Sequence, residues 1–246
     1  MRGLVAAAGL CSRLQDLAEK QNKVLLDLGG VTLLDNILNH FEQAGITDHV
    51  VVVGFDALSV RRFCEQRATC ILNPFYEHYG ILGSLWAVRQ PFAGQPFTFT
   101  TGDHYFTLNR LQAFLADQPE ADVLVDVEIK PCDEEDMKVY MTRSGKFRTM
   151  SKKLLDGAVL GEFTGLVRFS AEGSQQFFET LDKYVWQHGI QGYVADILCQ
   201  LHRKWELAFH LSMDHQRVDV DFPYDFHRAR QLYLEMTSSK LKIRRH

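Results

Sequence analysis

Three aspartates of this 246-residue chain stand where a carboxylate could do chemistry. Asp103 follows the apolar run "FTFTTG", and a carboxylate at the end of a strand can coordinate magnesium while the metal's other positions hold water and substrate phosphates. Asp219 and Asp221, in "RVDVDFPYDFHRAR", are two residues apart and share one side if that stretch is a strand. Near the N-terminus, "GLVAAAGLCSRL" puts Gly9 behind an apolar run. Glycine lets the backbone turn tightly there, and consecutive free N–H groups in such a loop can wrap phosphate oxygens. Arg13 and Lys23 would add positive charge to that cradle. Plainer readings stay open for each: an ordinary strand–loop junction, a loop-capping Asp103, an Asp221 that caps the next helix. Neither a G-x-G-x-x-G nor a G-K-[ST] is present, which disfavours dinucleotide-fold and P-loop readings.

Such residues need a rigid frame. The first half alternates short apolar runs with amphipathic segments: "GLVAAA", "TLLDNILNHFEQAG", "HVVVVGF", "ALSVRRFCEQR", "TCILN", "LGSLWAVRQ" and "FTFTTGD". That alternation predicts an α/β fold, a single-domain three-layer sandwich with a mostly parallel mixed sheet covered by helices. Right-handed crossovers then bring ligands to the carboxyl ends of the strands, so the loops ending strands 1 and 4 matter most. Farther on, "RLQAFLADQP" precedes the strand "ADVLVDVEI", the acidic break "PCDEED", and a β pair turning at Ser144 and Gly145. "FTGLVRFS" reads as a strand, "AEGSQQFFETLDKYVWQHG" as a helix, "RVDVDF" as a short strand and "YDFHRARQLYLEM" as a helix. One domain over residues 1–235 and a basic tail over 236–246 is the economical division.

Composition sets the class. With 46% hydrophobic and 24% charged residues the chain can bury a sizeable core. A net charge of -4 argues against a mainly electrostatic nucleic-acid binder, although "KLKIRRH" is locally basic. Five scattered cysteines without a C-x-x-C pair suggest neither zinc nor redox chemistry, and a reducing cytoplasm is their simplest setting. No stretch reaches the roughly 18–20 apolar residues of a membrane helix. A leader ending at a lipid-acceptor Cys11 is disfavoured because the charged segment and "KVLLDLGGVTLLDNILNHF" that follow read as folded protein.

"VAAAGLCSRL" followed by "NKVLLDLGGVTLLDNIL" resembles the opening of the nucleotidyltransferase family that activates sugar and alcohol phosphates. Its members carry an L-A-A-G-x-G-x-R-L loop and a P-K-x-L-L segment; this chain has Cys11 where the second loop glycine is usual and Asn22 where proline is usual. The resemblance runs from about residue 3 to 232, with the motifs in order, and lies nearest to the CTP-dependent phosphocholine, aminoethylphosphonate and inositol phosphate enzymes. It implies nucleotide contacts from Ala7, Ala8, Gly9, Leu10, Cys11, Ser12, Arg13, Lys23 and Asp103. "NPFYEHYGILGSLWAV" is similar to the N-x-x-Y, S-L-x-x-A pattern and implies a base-facing role for Leu82, Gly83 and Ser84 where Gly83 and Ser84 open a helix.

The same resemblance makes Asp103 and Asp221 the metal pair for Mg²⁺, with Asp219 assisting or meeting the acceptor. Lys152, and less closely Lys153, match the lysine that meets the acceptor phosphate, while Glu162, Gly165 and His104 would border the acceptor. The implied activity is transfer of CMP from CTP to a small phosphorylated or phosphonate acceptor, with Arg13, Lys23 and Lys152 as the working cations. The partners would be CTP and that acceptor, with no nucleic acid and no membrane, and a homodimer as the default assembly. Two alternatives stand beside it: a UTP-, dTTP- or GTP-dependent enzyme acting on a sugar phosphate or pterin cofactor, and a non-catalytic nucleotide-binding relative.

Overall fold

The computed structural model describes residues 1–11, 13, 14 and 21–243. Eleven strands occur among them: β1 (Arg2–Ala7), β2 (Asp48–Val53), β3 (Thr69–Leu72), β4 (Phe97–Thr101), β5 (His104–Phe106), β6 (Val123–Glu128), β7 (Lys138–Met141), β8 (Phe147–Ser151), β9 (Ala158–Phe169), β10 (Leu207–Ser212) and β11 (Arg217–Asp219). The helices are α1 (Leu33–Gln43), α2 (Ala57–Cys64), α3 (Ile81–Ala87), α4 (Arg89–Phe92), α5 (Leu108–Ala116), α6 (Ala171–His188), α7 (Val194–His202) and α8 (Pro223–Ile243). The main sheet runs β10-β6-β9-β4-β1-β2-β3, with β7 also pairing to β9 and β8 to β7. β1 lies parallel to both β2 and β4, β2 to β3, and β6 to β10, while β9 is antiparallel to β4, β6 and β7.

The central strands are buried on both faces, and their two-residue period sorts side chains between two cores. Leu4, Val50, Val52, Phe97, Phe99, Val123 and Val125 face one core, which α3, α6 and α7 complete. Val5, Val51, Val53 and Leu124 face the other, closed by α1, α2 and α5. Two helical layers about one mixed sheet make the three-layer sandwich that the alternating pattern implied. Thr32 caps α1 with a reciprocal Asp35 contact, and Thr107 and Ser170 cap α5 and α6, so these three helices start where a side-chain oxygen meets a free N–H.

β1 is the switch point: the chain moves outward from it to β2 and β3, then returns to place β4 on its other side. The carboxyl ends of β1 and β4 are therefore neighbours, Ala6 lying opposite Thr101 and the Gly102 N–H donating to Ala6 O at 2.8 Å. A small second sheet, β5 against β11, packs with α8 over this end, sealed by Leu14, Leu26, Leu28 and Phe226.

Several elements differ from the sequence reading. β9 begins at Ala158, well before "FTGLVRFS", because its first residues pair with β7. β11 stops at Asp219, so "RVDVDF" is a strand only over its first three residues. α3 opens at Ile81 with Gly80 as its cap, not at Gly83: the Gly83 N–H already donates to Gly80 O, and the Ser84 hydroxyl is buried and accepts from Asn73. β5, α7 and β10 had no counterpart in the pattern. The turn at Ser144 and Gly145 stands between β7 and β8, with Gly145 at φ 76°. α8 continues through residue 236, where the basic tail was expected to begin.

Phe97 centres the larger core, its ring 4.6 Å from Phe169 and 5.0 Å from Phe92. Phe97→Ala should cost about 3–5 kcal/mol through lost burial and the cavity left behind, read as a lower urea midpoint at unchanged m-value.

Candidate functional site

At the joined ends of β1 and β4, three segments far apart in sequence converge on one ammonium. Lys23 Nζ lies 2.8 Å from Asp103 Oδ2 and 3.0 Å from Asp221 Oδ1, and donates to Val220 O at 3.2 Å. Lys23 is held there by its neighbour. Asn22, buried, donates from Nδ2 to Ala7 O and Phe55 O, both at 2.8 Å, and its Oδ1 accepts from Val24 N. One amide thus ties the Lys23 turn to the end of β1 and to the loop after β2. The Lys23 N–H donates to Cys11 Sγ at 2.9 Å, so Cys11 joins the same turn.

These contacts set the protonation states. Burial alone would lower the Lys23 ammonium, but Asp103 and Asp221 more than offset this and raise it. Burial would raise the Asp103 carboxyl, yet Lys23 and then His104 hold it to about 2. The carboxylate of Asp221 is not the cap of α8. Asp225, in the first turn of α8, accepts from Phe222 N at 2.8 Å and Asp221 N at 3.2 Å, while the Asp221 oxygens face Lys23 and Arg13. Arg13 adds a second cation 3.8 Å from Asp221, with its guanidinium over the Phe222 ring. Leu10, Cys11, Arg13, Lys23 and Asp221 line a recess of about 200 Å³ there. Ala7 and Ala8 are buried behind it; at Gly9 an added Cβ would meet nothing within 4 Å, so sterics do not demand glycine. Ser12 lies outside the described residues.

The recess adjoins a cavity of about 520 Å³ whose lining includes Asp103, His104, Lys152, Glu162, Gly165 and Asp219. His104 is buried, with Nε2 2.7 Å from Asp219 Oδ1 and Thr101 Oγ1 against its ring. Gly165 sits at φ 81°, and a Cβ there would come 2.7 Å from His104 Cε1, so glycine is required to seat the imidazole. Lys152 reaches the mouth, 3.5 Å from Glu135 and over the Tyr193 ring, whereas Lys153 does not line the cavity. Gly80 and Ile81 line the same cavity, whereas Leu82 is buried in the core.

Behind Glu162 and Asp219 lie residues that sequence reasoning missed. Arg217, 5% exposed, donates from Nη2 to Glu162 Oε2 at 2.5 Å and from Nη1 to Asp219, with Nε 3.5 Å from Glu128. Lys130 adds a second contact to Glu162 at 3.0 Å and one to Asp136 at 3.1 Å. Glu162, singled out from sequence as an acceptor contact, therefore lines the cavity with its charge already matched from within the chain. Burial raises its carboxyl despite Arg217, and burial would raise Asp219 too, but Arg217 and His104 drive Asp219 far down. The available signal was spacing: Arg217 and Asp219 are two apart on one strand and share its side.

The arrangement can grip polyanions. Lys23 and Arg13 face the recess, Lys152 the mouth, and two hard-oxygen ligands converge beside them. Mg²⁺ uses one or two carboxylates plus phosphate oxygens and water, and the focusing of Asp103 and Asp221 on a single cation fits that donor set. Among the described residues no group of three or more His, Cys, Asp or Glu forms a complete protein cage.

The Lys23 contacts make a direct prediction for metal-free protein. Asp103, followed by carboxyl NMR, should titrate near 2 and move up in Lys23→Met, because burial is then opposed only by His104 and the Thr101 hydrogen bond. Since the folded value lies below the unfolded one, the stabilisation it gives is present above about pH 4 and is lost as pH falls toward 2. Lys23→Met should flatten that part of the stability–pH curve.

Comparison with known proteins places this geometry. Residues 3–140 match the family described as MobA-like NTP transferase domain. The choline-phosphate cytidylyltransferase of Haemophilus influenzae is 34% identical over 89 residues, covering 34% of this chain and 36% of that protein; the aligned segment thus spans about a third of that relative's length. Solved structures share the fold at lower identity. The inositol-1-phosphate CTP transferase from T. maritima is 16% identical with a TM-score of 0.78 over 94% of each chain. The CTP:phosphocholine cytidylyltransferase from Streptococcus pneumoniae is 16% identical with a TM-score of 0.74, over 94% of this chain and 98% of that one. The UDP-glucose pyrophosphorylase from Acinetobacter baumanii is 14% identical with a TM-score of 0.77, over 98% of this chain and 99% of that one. With the family match covering more than half its length, the chain belongs to the MobA-like NTP transferases and is a nucleotidyltransferase-family protein.

Proposed function

We propose that the chain is a Mg²⁺-dependent cytidylyltransferase, which transfers CMP from CTP to a small phosphorylated or phosphonate acceptor and releases pyrophosphate. The observation that carries the reading is the convergence of Lys23, Asp103 and Asp221 where the recess meets the larger cavity. The match to the choline-phosphate enzyme of H. influenzae supports the choice of CTP.

An oxygen of the acceptor's phosphate attacks the α-phosphorus; the bond from that phosphorus to the β-phosphate bridging oxygen breaks, and pyrophosphate leaves with the electron pair. The acceptor is already anionic, so no residue need deprotonate it, and catalysis is alignment plus charge stabilisation. Arg13 and Lys23 hold the triphosphate and then the departing pyrophosphate, with backbone N–H groups of residues 7–11 around them. Gly80 and Ile81, with Leu82, Gly83 and Ser84 behind them in α3, form the wall on the base side. Lys152 orients the acceptor phosphate, and His104, Gly165, Glu162 and Asp219 border the rest of the acceptor. Arg217 keeps Asp219 ionised and holds both Glu162 and Asp219 aimed. Bound by Asp103 and Asp221, Mg²⁺ would supply positive charge beside the reacting phosphate.

A pyrophosphate-release screen tests this by crossing CTP, UTP, GTP and dTTP with phosphocholine, phosphoethanolamine, 2-aminoethylphosphonate, inositol phosphate and sugar phosphates. Release with CTP alone is expected; turnover with another triphosphate would reassign the base, and no release with any pair would favour a binding protein. Asp103→Ala should lower kcat by about 10² to 10³ while thermal unfolding shows an intact fold. Chelation by EDTA should abolish turnover, and added Mg²⁺ should restore it.

A further inference from the structure

Two buried polar side chains of β7, Lys138 and Tyr140, lie outside the cavity lining yet reach the turn that carries Lys152. Lys138 Nζ donates to Lys152 O at 2.9 Å and to Asp136 O at 3.2 Å. The Tyr140 hydroxyl donates to Lys153 O at 3.1 Å and accepts from Leu155 N at 3.0 Å. The turn itself, residues 152–157 between β8 and β9, has little apolar burial to hold it: Leu154 is 84% exposed. Arg148 grips its far end through Asp156 O, and the near end depends on Lys138 and Tyr140.

An ammonium taken out of water is costly, and methionine would bury at this position without that cost. What only the ammonium can do is donate to two backbone segments at once. One of those segments is Lys152, at the cavity mouth; the other is Asp136, whose carboxylate holds Lys130, which in turn holds Glu162 on the cavity wall. Lys138 thus ties the lysine at the mouth to the carboxylate wall behind it.

We propose that Lys138 and Tyr140 are positioning residues for the acceptor end of the reaction, fixing the backbone from which Lys152 reaches the acceptor phosphate. The inference rests on the reading of Lys152 as the acceptor lysine. Neither residue touches substrate. With the backbone held, acceptor binding has only the Lys152 side chain left to order, which lowers the entropic cost of the contact.

The test uses the full chain with CTP and the acceptor found by the pyrophosphate-release screen. Lys138→Met keeps the side-chain length, and Tyr140→Phe keeps the ring while removing both hydroxyl contacts, so the second variant preserves the test if the first fails to fold. Each should lower kcat/KM for the acceptor, by up to about 10²-fold, with the KM for CTP unchanged. In a Lys152→Ala background neither change should cause a further loss, because both act through that lysine. Losses that multiply with Lys152→Ala, acceptor kinetics left unaltered, or a KM for CTP that rises in step would each overturn the proposal. Amide hydrogen exchange in the substrate-free protein separates this inference from the reading it rests on. Exchange at residues 152–155 should quicken in both variants, and unchanged exchange would overturn the clamp whatever the chain's substrates. If no acceptor is turned over, the cytidylyltransferase reading fails, while exchange still decides whether the two residues fix the Lys152 turn.

Discussion

One ammonium between two carboxylates organises the working end of this molecule. Lys23 follows β1, Asp103 follows β4, and Asp221 follows β11, yet all three meet within 3.0 Å of one nitrogen. An ammonium as buried as that of Lys23 is tolerated only when matched, and removing its carboxylates would leave it uncompensated. The contact therefore fixes more than a side chain: it holds the N-terminal loop, the β4–β5 turn and the approach to α8 in register. Asn22 makes the alignment rigid, since its amide bonds two backbone carbonyls that would otherwise lie buried and lack a donor.

A second ionic system backs the larger cavity. Arg217 links Glu162 on β9 to Asp219 on β11, Lys130 reaches Glu162 after β6, and His104 on β5 completes the line to Asp219. The wall presented to the larger cavity is thus built of carboxylates that already have internal partners. A cationic group entering that cavity would compete with Arg217 and Lys130 for the same oxygens.

Much of this was readable from spacing. The alternation of Val50 to Val53 and of Leu4 with Val5 announced strands buried on both faces, and the glycine after β1 and the aspartate after β4 lay where an open α/β sheet puts ligands. What escaped was non-local. β5 is three residues long and exists because β11, far along the chain, pairs with it. β10 sits at the sheet edge, where mixed exposure blurs the two-residue period. The start of α3 shifted to Ile81 because a glycine cap carries no side-chain signal comparable to serine.

By itself, the sequence determined the layer architecture, the family resemblance and the residue types able to grip phosphate and a divalent cation, since periodicity and short motifs are local properties. Only the tertiary structure decided that Lys23 bridges Asp103 and Asp221, that the Asp221 carboxylate turns to Lys23 and does not cap α8, that Glu162 is matched by Arg217, and that Gly165 seats His104. Each of those is a contact between segments whose separation along the chain carries no information about their separation in space. The need to pair buried charge and to satisfy buried backbone selects the pairing, and it does so only once the sheet order has brought the strand ends together.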